Sequence, residues 1–155
     1  MVGVAVGMAL KFAMKAVVMP VLGADPVNHA YEFVAGNRAA LPGMLYAVIV
    51  GAGFGEETFY RGYLFERLGK RLGSTRSAKI VTLAVTSLLF AAAHLHDQGW
   101  AGAVQATITG LVFGTMLLRS GTIVLPMVTH VAFDLTAVWM IYSSLEAPIG
   151  HLIFR

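Results

Sequence analysis

The 155-residue chain contains no cysteine. That excludes a disulfide framework and every thiolate metal, redox or nucleophilic site, and it leaves the redox compartment open. Charge is scarce as well. Asp, Glu, Lys and Arg make up 12% of the residues, against 57% hydrophobic ones. Ordinary soluble domains carry about 25% and 45–50%. With a mean hydropathy of +0.75, a soluble particle of this composition would bare large apolar patches. Lipid is therefore the solvent the composition calls for, and disorder is excluded by the same numbers. No cationic stretch precedes the first apolar run, which argues against a cleaved signal peptide. There is no internal repeat and no low-complexity tract.

What charge there is has a pattern. The net charge is +3 and the pI about 9.5, a balance that often accompanies nucleic-acid binding. Here Arg67, Lys70, Arg71, Arg76 and Lys79 gather in one short stretch between apolar runs. That is the signature of a cytoplasmic membrane loop, and no nucleic-acid partner is expected. The turn holding Arg119 falls on the same side, whereas Arg38 and Arg155 fall on the other. The positive-inside rule then places the 66–79 loop and the 119–121 turn in the cytoplasm.

Five apolar segments can be drawn, at about 2–22, 41–62, 78–95, 100–118 and 122–145. Each approaches the ~20 residues a spanning helix needs. The expected fold is therefore all-α: a polytopic integral-membrane bundle of about five apolar helices around a buried polar site. The length suggests one domain. Within it, 1–40 reads as an apolar segment plus a mixed loop, 41–145 as the core, and 146–155 as a tail. Lys11 and Lys15 interrupt the first segment, so they either snorkel toward an interface or lay that segment on the membrane surface. Pro26, Gly36 and Pro42 punctuate the 25–43 stretch as a loop with room for one short interfacial helix. Gly3 and Gly7, Gly51 and Gly55, and Gly110 and Gly114 have the spacing that lets helix backbones approach closely in lipid.

The informative residues are the ionisable ones inside apolar segments, which lipid makes costly. They are Glu56, Glu57 and Arg61 in the second segment, His94 and His96 at the end of the third, and His130 and Asp134 in the fifth. On one helix Glu57 and Arg61 stand at i and i+4, acid first, the favourable order for an ion pair. Glu56 points about 100° away and has no basic neighbour in sequence, so it is available to face another helix. Glu56 and His94 are equidistant from Thr75 in the GSTRS turn, which places them level in an antiparallel hairpin. Counting ten residues in from Glu66 puts Glu56 ~15 Å deep. The same count from Gly121 puts His130 at ~13 Å, with Asp134 one turn further on the same face. The spacing predicts that Glu56, His94 and His130 share one depth.

A carboxylate and an imidazole sharing a water make a general base, and further donors could stabilise an oxyanion. An ionised Asp134 cannot donate, so it orients His130 or must be protonated. A zinc site competes, since two histidines and two carboxylates could ligate the metal and leave a position open for water. Glu56, His94 and His130 are its candidate ligands, although there is no HExxH. Serine catalysis is disfavoured, because Ser87 lies too far along its helix from His94. His29 and His151 read as solvated, His96 as a helix-end or loop histidine with a second ligand as the alternative, Tyr60 as a site neighbour or belt residue, and Trp100 and Trp139 as interface anchors or packing.

Three motifs carry a resemblance. EETFYR at 56–61 matches EExxxR, FAAAH at 90–94 matches FxxxH, and HVAFD at 130–134 matches a histidine followed four residues later by Asn or Asp. In this order the chain resembles the CPBP family, which comprises the type II CAAX prenyl endopeptidases and the bacteriocin-processing or immunity proteins also called Abi. The resemblance spans about 41–145. It implies an intramembrane endopeptidase in which Glu56 and His94 activate water and His130 and Asp134 form the oxyanion site. Glu57 and Arg61 would be supporting, and Phe90, one turn before His94, would pack its ring. It implies a lipid bilayer and a lipidated or membrane-anchored peptide, or a bacteriocin-type precursor, as partners. A glutamate-based mechanism needs no cofactor, and zinc is the alternative. Prenyl-processing members carry Asn in the third motif where this chain has Asp134. The chain is also shorter than the family's usual members, and a homo-oligomer is one way to complete a cavity. Two other readings belong to different classes. One is a non-catalytic immunity or scaffold protein of the same fold. The other is a small transporter or proton relay, since buried acids and histidines also mark ion paths.

Overall fold

The computed structural model describes residues 1–154; Arg155, counted above on the side opposite the basic loop, lies outside the described residues. Among the described residues every regular element is helical. The elements are α1 (Val2–Val21), a short 3₁₀ turn at His29–Val34, α2 (41–72), α3 (Arg76–Ser120), α4 (Val124–Tyr142) and α5 (Glu146–Gly150). The chain forms two compact units, residues 1–53 with 128–154, and Phe54–Met127.

Three helices are long and apolar enough to cross a membrane: α1, α3 and α4. That is fewer than the five segments drawn from the sequence, for two physical reasons. First, α3 is 45 residues long but breaks at Gly99, where φ is 64° and ψ −166°. That region of backbone space is essentially closed to side-chain-bearing residues. The two halves fold back on each other, so α3 holds both the third and the fourth segment. Phe90 and Ala91 pack with Ala106, a Cβ at Gly110 would stand 3.0 Å from the Ser87 Cβ, and one at Gly114 would overlap Leu83. Second, α2 is not one regular α-helix. Residues 47–56 and 58–64 take wider π turns. Gly51, Gly53, Gly55 and Gly62 loosen the helical ladder there. The Thr58 hydroxyl donates to the Phe54 carbonyl at 2.7 Å, a back-bond that competes with main-chain pairing.

In the first unit α1 runs parallel to α4. Gly7 lies against the Thr129 carbonyl and the Phe133 amide, Phe12 meets Trp139 at 6.3 Å between ring centres, and Lys15 reaches Glu146. Residues 41–53 run antiparallel to α4. Leu41, Met44 and Val48 pack beside Val138 and Ile141, and Gly53 packs under Val131. The 3₁₀ turn between α1 and α2 buries Val34 completely in the same cluster, and the Gly36 amide donates to the Tyr142 carbonyl at 3.0 Å. Of the three glycine pairs singled out by spacing, Gly3 with Gly7 and Gly110 with Gly114 are buried. Gly51 and Gly55 are exposed, and the close approach on α2 falls to Gly53 instead.

The second unit is built from the end of α2 and the α3 hairpin. Gly73, at φ 93°, stops α2, and the Thr75 hydroxyl caps α3 by accepting from the Ala78 amide at 3.2 Å. Gly121, at φ 68°, ends it with its amide on the Leu117 carbonyl. Ile80, Val81, Leu88, Leu89 and Trp100 lie exposed along α3, as expected of a surface whose solvent is hydrocarbon.

Candidate active site

Glu57 and Arg61 pair as their spacing requires. Arg61 Nη1 donates to Glu57 Oε1 at 2.8 Å, with both side chains at 1% exposure or less. The guanidinium lies in an aromatic cage, 4.4 Å from the Phe90 ring centre and 5.5 Å from that of Phe113. A planar, weakly hydrated cation suits such a site where an ammonium would not. The charge of Glu57 is thus neutralised locally, and Glu56 on the same helix is a separate carboxylate.

Tyr60 links α2 to α3. Its ring meets Phe90 edge-on at 5.1 Å, and Phe90 meets His94 edge-on at 4.5 Å. Glu56 is one turn before Tyr60, and His94 is one turn after Phe90 on an antiparallel helix. The register that pairs Tyr60 with Phe90 therefore sets Glu56 and His94 at a common height within this unit. Glu56 also interacts electrostatically with Tyr60.

The orientation of His94 is chemically informative. Its Nδ1 lies 2.9 Å from the Phe90 carbonyl. A carbonyl only accepts, so Nδ1 carries the proton and the neutral ring keeps its lone pair on Nε2. That is the tautomer a general base needs. His96, two residues on, is fully exposed with Asp97 as its nearest acid at 3.9 Å.

The third motif lies in the first unit. His130 is buried, and its Nε2 stands 3.4 Å from Asp134 Oδ2, one turn on along α4. The sequence did not reveal what surrounds this pair on α1. Lys15 neither snorkels nor lies at a surface. It is buried, and its ammonium donates to Glu146 Oε1 at 2.7 Å, while Glu146 Oε2 accepts from the Asn28 amide at 3.3 Å. Lys11 is partly buried, with its ammonium 4.9 Å from the Phe133 ring centre and within electrostatic reach of Asp134. The only available signal was a general one, that a cation inside an apolar segment needs an acid somewhere. Lys15 and Glu146 are 131 residues apart. Among the described residues, no three His, Asp or Glu side chains gather into a group that could hold a metal ion.

Three apolar helices with exposed hydrophobic flanks, in a chain that buries an ion pair in one unit and a histidine in the other, define an integral membrane protein. The family model described as type II CAAX prenyl endopeptidase Rce1-like matches residues 38–136, a span that takes in all three motifs, and the chain belongs to that family. It is accordingly a membrane protease of the CAAX type. No curated protein and no solved structure matches the chain.

Proposed function

We propose that the protein is an intramembrane endopeptidase that hydrolyses a peptide bond in a lipidated, CAAX-type or otherwise membrane-anchored substrate, using water activated by Glu56 and His94. The observation that carries this reading is the bond from His94 Nδ1 to the Phe90 carbonyl. It leaves the basic nitrogen of an imidazole at the height of the Glu56 carboxylate. Glu56 would take one proton of the attacking water while His94 Nε2 accepts a hydrogen bond from its other O–H, and the protonated Glu56 would then pass that proton to the leaving amine. With Asp134 Oδ2 beside one ring nitrogen at 3.4 Å, His130 in its doubly protonated form would donate from the other to the oxygen that becomes an oxyanion. Glu57 and Arg61 hold α2 in register, and Phe90 holds the His94 ring. The basic 66–79 loop sets this chemistry toward the cytoplasmic half of the bilayer.

The test is cleavage of a fluorogenic lipidated CAAX peptide by purified protein in detergent, run beside Glu56→Gln with and without a strong chelator. We expect the variant to lose roughly 10²–10⁴-fold in kcat while keeping its thermal midpoint, and the wild type to be indifferent to the chelator. Full activity in Glu56→Gln would sink the assignment. Loss of wild-type activity in chelator, restored by zinc, would replace the glutamate mechanism with a metal one.

A further inference from the structure

We infer that the cavity at the basic end of the second unit binds the phosphodiester of an anionic phospholipid, with Lys79 and Thr82 as donors. The site is separate from the chemistry proposed for Glu56 and His94, and it does not depend on the protease reading. The cavity is open and holds about 500 Å³. Its walls come from the last turns of α2, the turn at 73–74, the first turns of α3 and the end of α3 at Leu118. All of these belong to the one unit.

Two observations point to an anion. The first is an orphan hydroxyl. Thr82 is 2% exposed, lines the cavity, and its Oγ1 has no hydrogen-bond partner among the described residues. Thr86 and Thr107 show the ordinary habit of a helical threonine: each donates to the carbonyl four residues back, at 2.9 Å. Thr82 forgoes that bond, and a buried hydroxyl without a partner bears its full desolvation cost. An oxygen of a ligand removes it. The second is a helix start with the wrong charges. The first turn of α3 has no acid but carries Arg76 and Lys79. The positive end of a helix dipole opposes cations there and favours an anion. Lys70 is matched by Glu66, whereas Lys79 has no ion-pair partner among the described residues. An anion in the cavity satisfies the helix end, the ammonium and the hydroxyl together.

The lining also selects the kind of anion. With Lys70 taken up by Glu66, Lys79 supplies the uncompensated charge, which suits the monoanion of a phosphodiester. The two free oxygens of that group accept from the Lys79 ammonium and the Thr82 hydroxyl, and Ser74 lines the same cavity. Phe65 and Leu118 add an apolar wall. A soluble phosphate ester has no use for such a wall, whereas an acyl chain does. The location agrees, because the cavity lies at the end of the α3 hairpin opposite Gly99, where spanning helices emerge at headgroup depth. Lysines near a membrane attract anionic lipid in general. The buried hydroxyl is what makes this a defined site.

The test is the thermal midpoint of delipidated protein in a neutral maltoside detergent, titrated with phosphatidylglycerol, phosphatidylcholine or glycerol 3-phosphate. Phosphatidylglycerol should raise the midpoint saturably and at lower concentration than the other two. Lys79→Gln should weaken its binding roughly 10-fold, about the worth of one charge-assisted hydrogen bond, and Lys79→Arg should retain it. Thr82→Val has a sharper signature. It should hold or raise the midpoint of the lipid-free protein, because the orphan hydroxyl is gone, yet weaken phosphatidylglycerol binding roughly 3- to 10-fold. Arg71→Gln removes a charge from the same loop outside the cavity lining, and should leave binding within about 2-fold. Equal losses in Arg71→Gln and Lys79→Gln would reduce the effect to the general field of the loop and overturn the site. Unchanged binding in Thr82→Val, or a lower lipid-free midpoint, would show that the hydroxyl serves something else and overturn it too. Phosphatidylcholine binding as tightly as phosphatidylglycerol would overturn the charge selection. An equal shift from glycerol 3-phosphate would overturn the lipid and make a soluble phosphate ester the occupant.

Discussion

A buried charge is tolerated only while its partner is present. Glu57 and Arg61 are both essentially inaccessible, so removing one takes away the charge that is hydrogen-bonded to the other in a medium that solvates it poorly. Arg61→Met should therefore destabilise the protein by about 3–5 kcal/mol, measured by denaturant titration in a fixed mixed micelle. Arg61→Lys should recover only part of the loss, because an ammonium does not stack in the cage of Phe90 and Phe113 as a guanidinium does. The 25–32 loop shows the opposite regime, where water screens everything. The His29 ring lies 2.9 Å from Glu32 Oε2 and 3.2 Å from Asp25 Oδ2. The bonds to Glu32 and then Asp25 raise its pKa above the ordinary 6.5. A raised histidine stabilises its loop fully below the unfolded pKa, and that contribution fades as pH rises through the higher folded value. An NMR titration of His29 should give a midpoint above 6.5, and Glu32→Gln and Asp25→Asn should each bring it down. A midpoint indifferent to both substitutions would refute the bridging geometry.

Helices in lipid are shaped by where their ladders are allowed to break. Gly99 lets α3 fold into a hairpin because it occupies a conformation reserved for glycine. Gly99→Ala should cost about 1–3 kcal/mol in strain, read as a lower unfolding midpoint in the same micelle. The penalty should fall on the hairpin, weakening the fit of Gly110 against Ser87. Equal stability of the variant would mean that the turn relaxes into another geometry. What could be read from the sequence follows the range of each interaction. The ion pair of Glu57 and Arg61, the turn at 97–99 and the motifs themselves are local, and spacing alone finds them. The partners of Lys11 and Lys15 lie more than a hundred residues away, so the sequence offered only snorkelling or a surface helix as explanations. The π turns of α2 escaped for a different reason. Periodicity arguments assume 3.6 residues per turn, and a glycine-rich run with a back-bonding threonine departs from it without changing composition. That departure also moved the close-packing position from the predicted Gly51 and Gly55 to Gly53.

At the scale of the whole molecule, membrane orientation is set by the distribution of charge along the chain. In the second unit a cavity of about 500 Å³ is lined by Phe65, Lys70, Lys79 and Leu118 among others. The basic loop and the end of α3 therefore lie at one end of that unit, while the Gly99 turn lies at the far end of the hairpin. Glu66 is the one acid in the basic loop, and it is held by Lys70, so the end as a whole remains strongly cationic. The positive-inside rule assigns such an end to the cytoplasm. Because the chain has no cysteine, single cysteines report accessibility without background. Ser74→Cys and Ser120→Cys should react with a membrane-impermeant maleimide only in inverted vesicles, and Asp97→Cys only in right-side-out ones. All three positions are exposed, so the pattern tests orientation and not burial. The reverse pattern would turn the molecule over and move the proposed chemistry to the other half of the bilayer. Labelling of all three from one side would mean that the hairpin does not cross, and that the 45 residues of α3 lie along the interface.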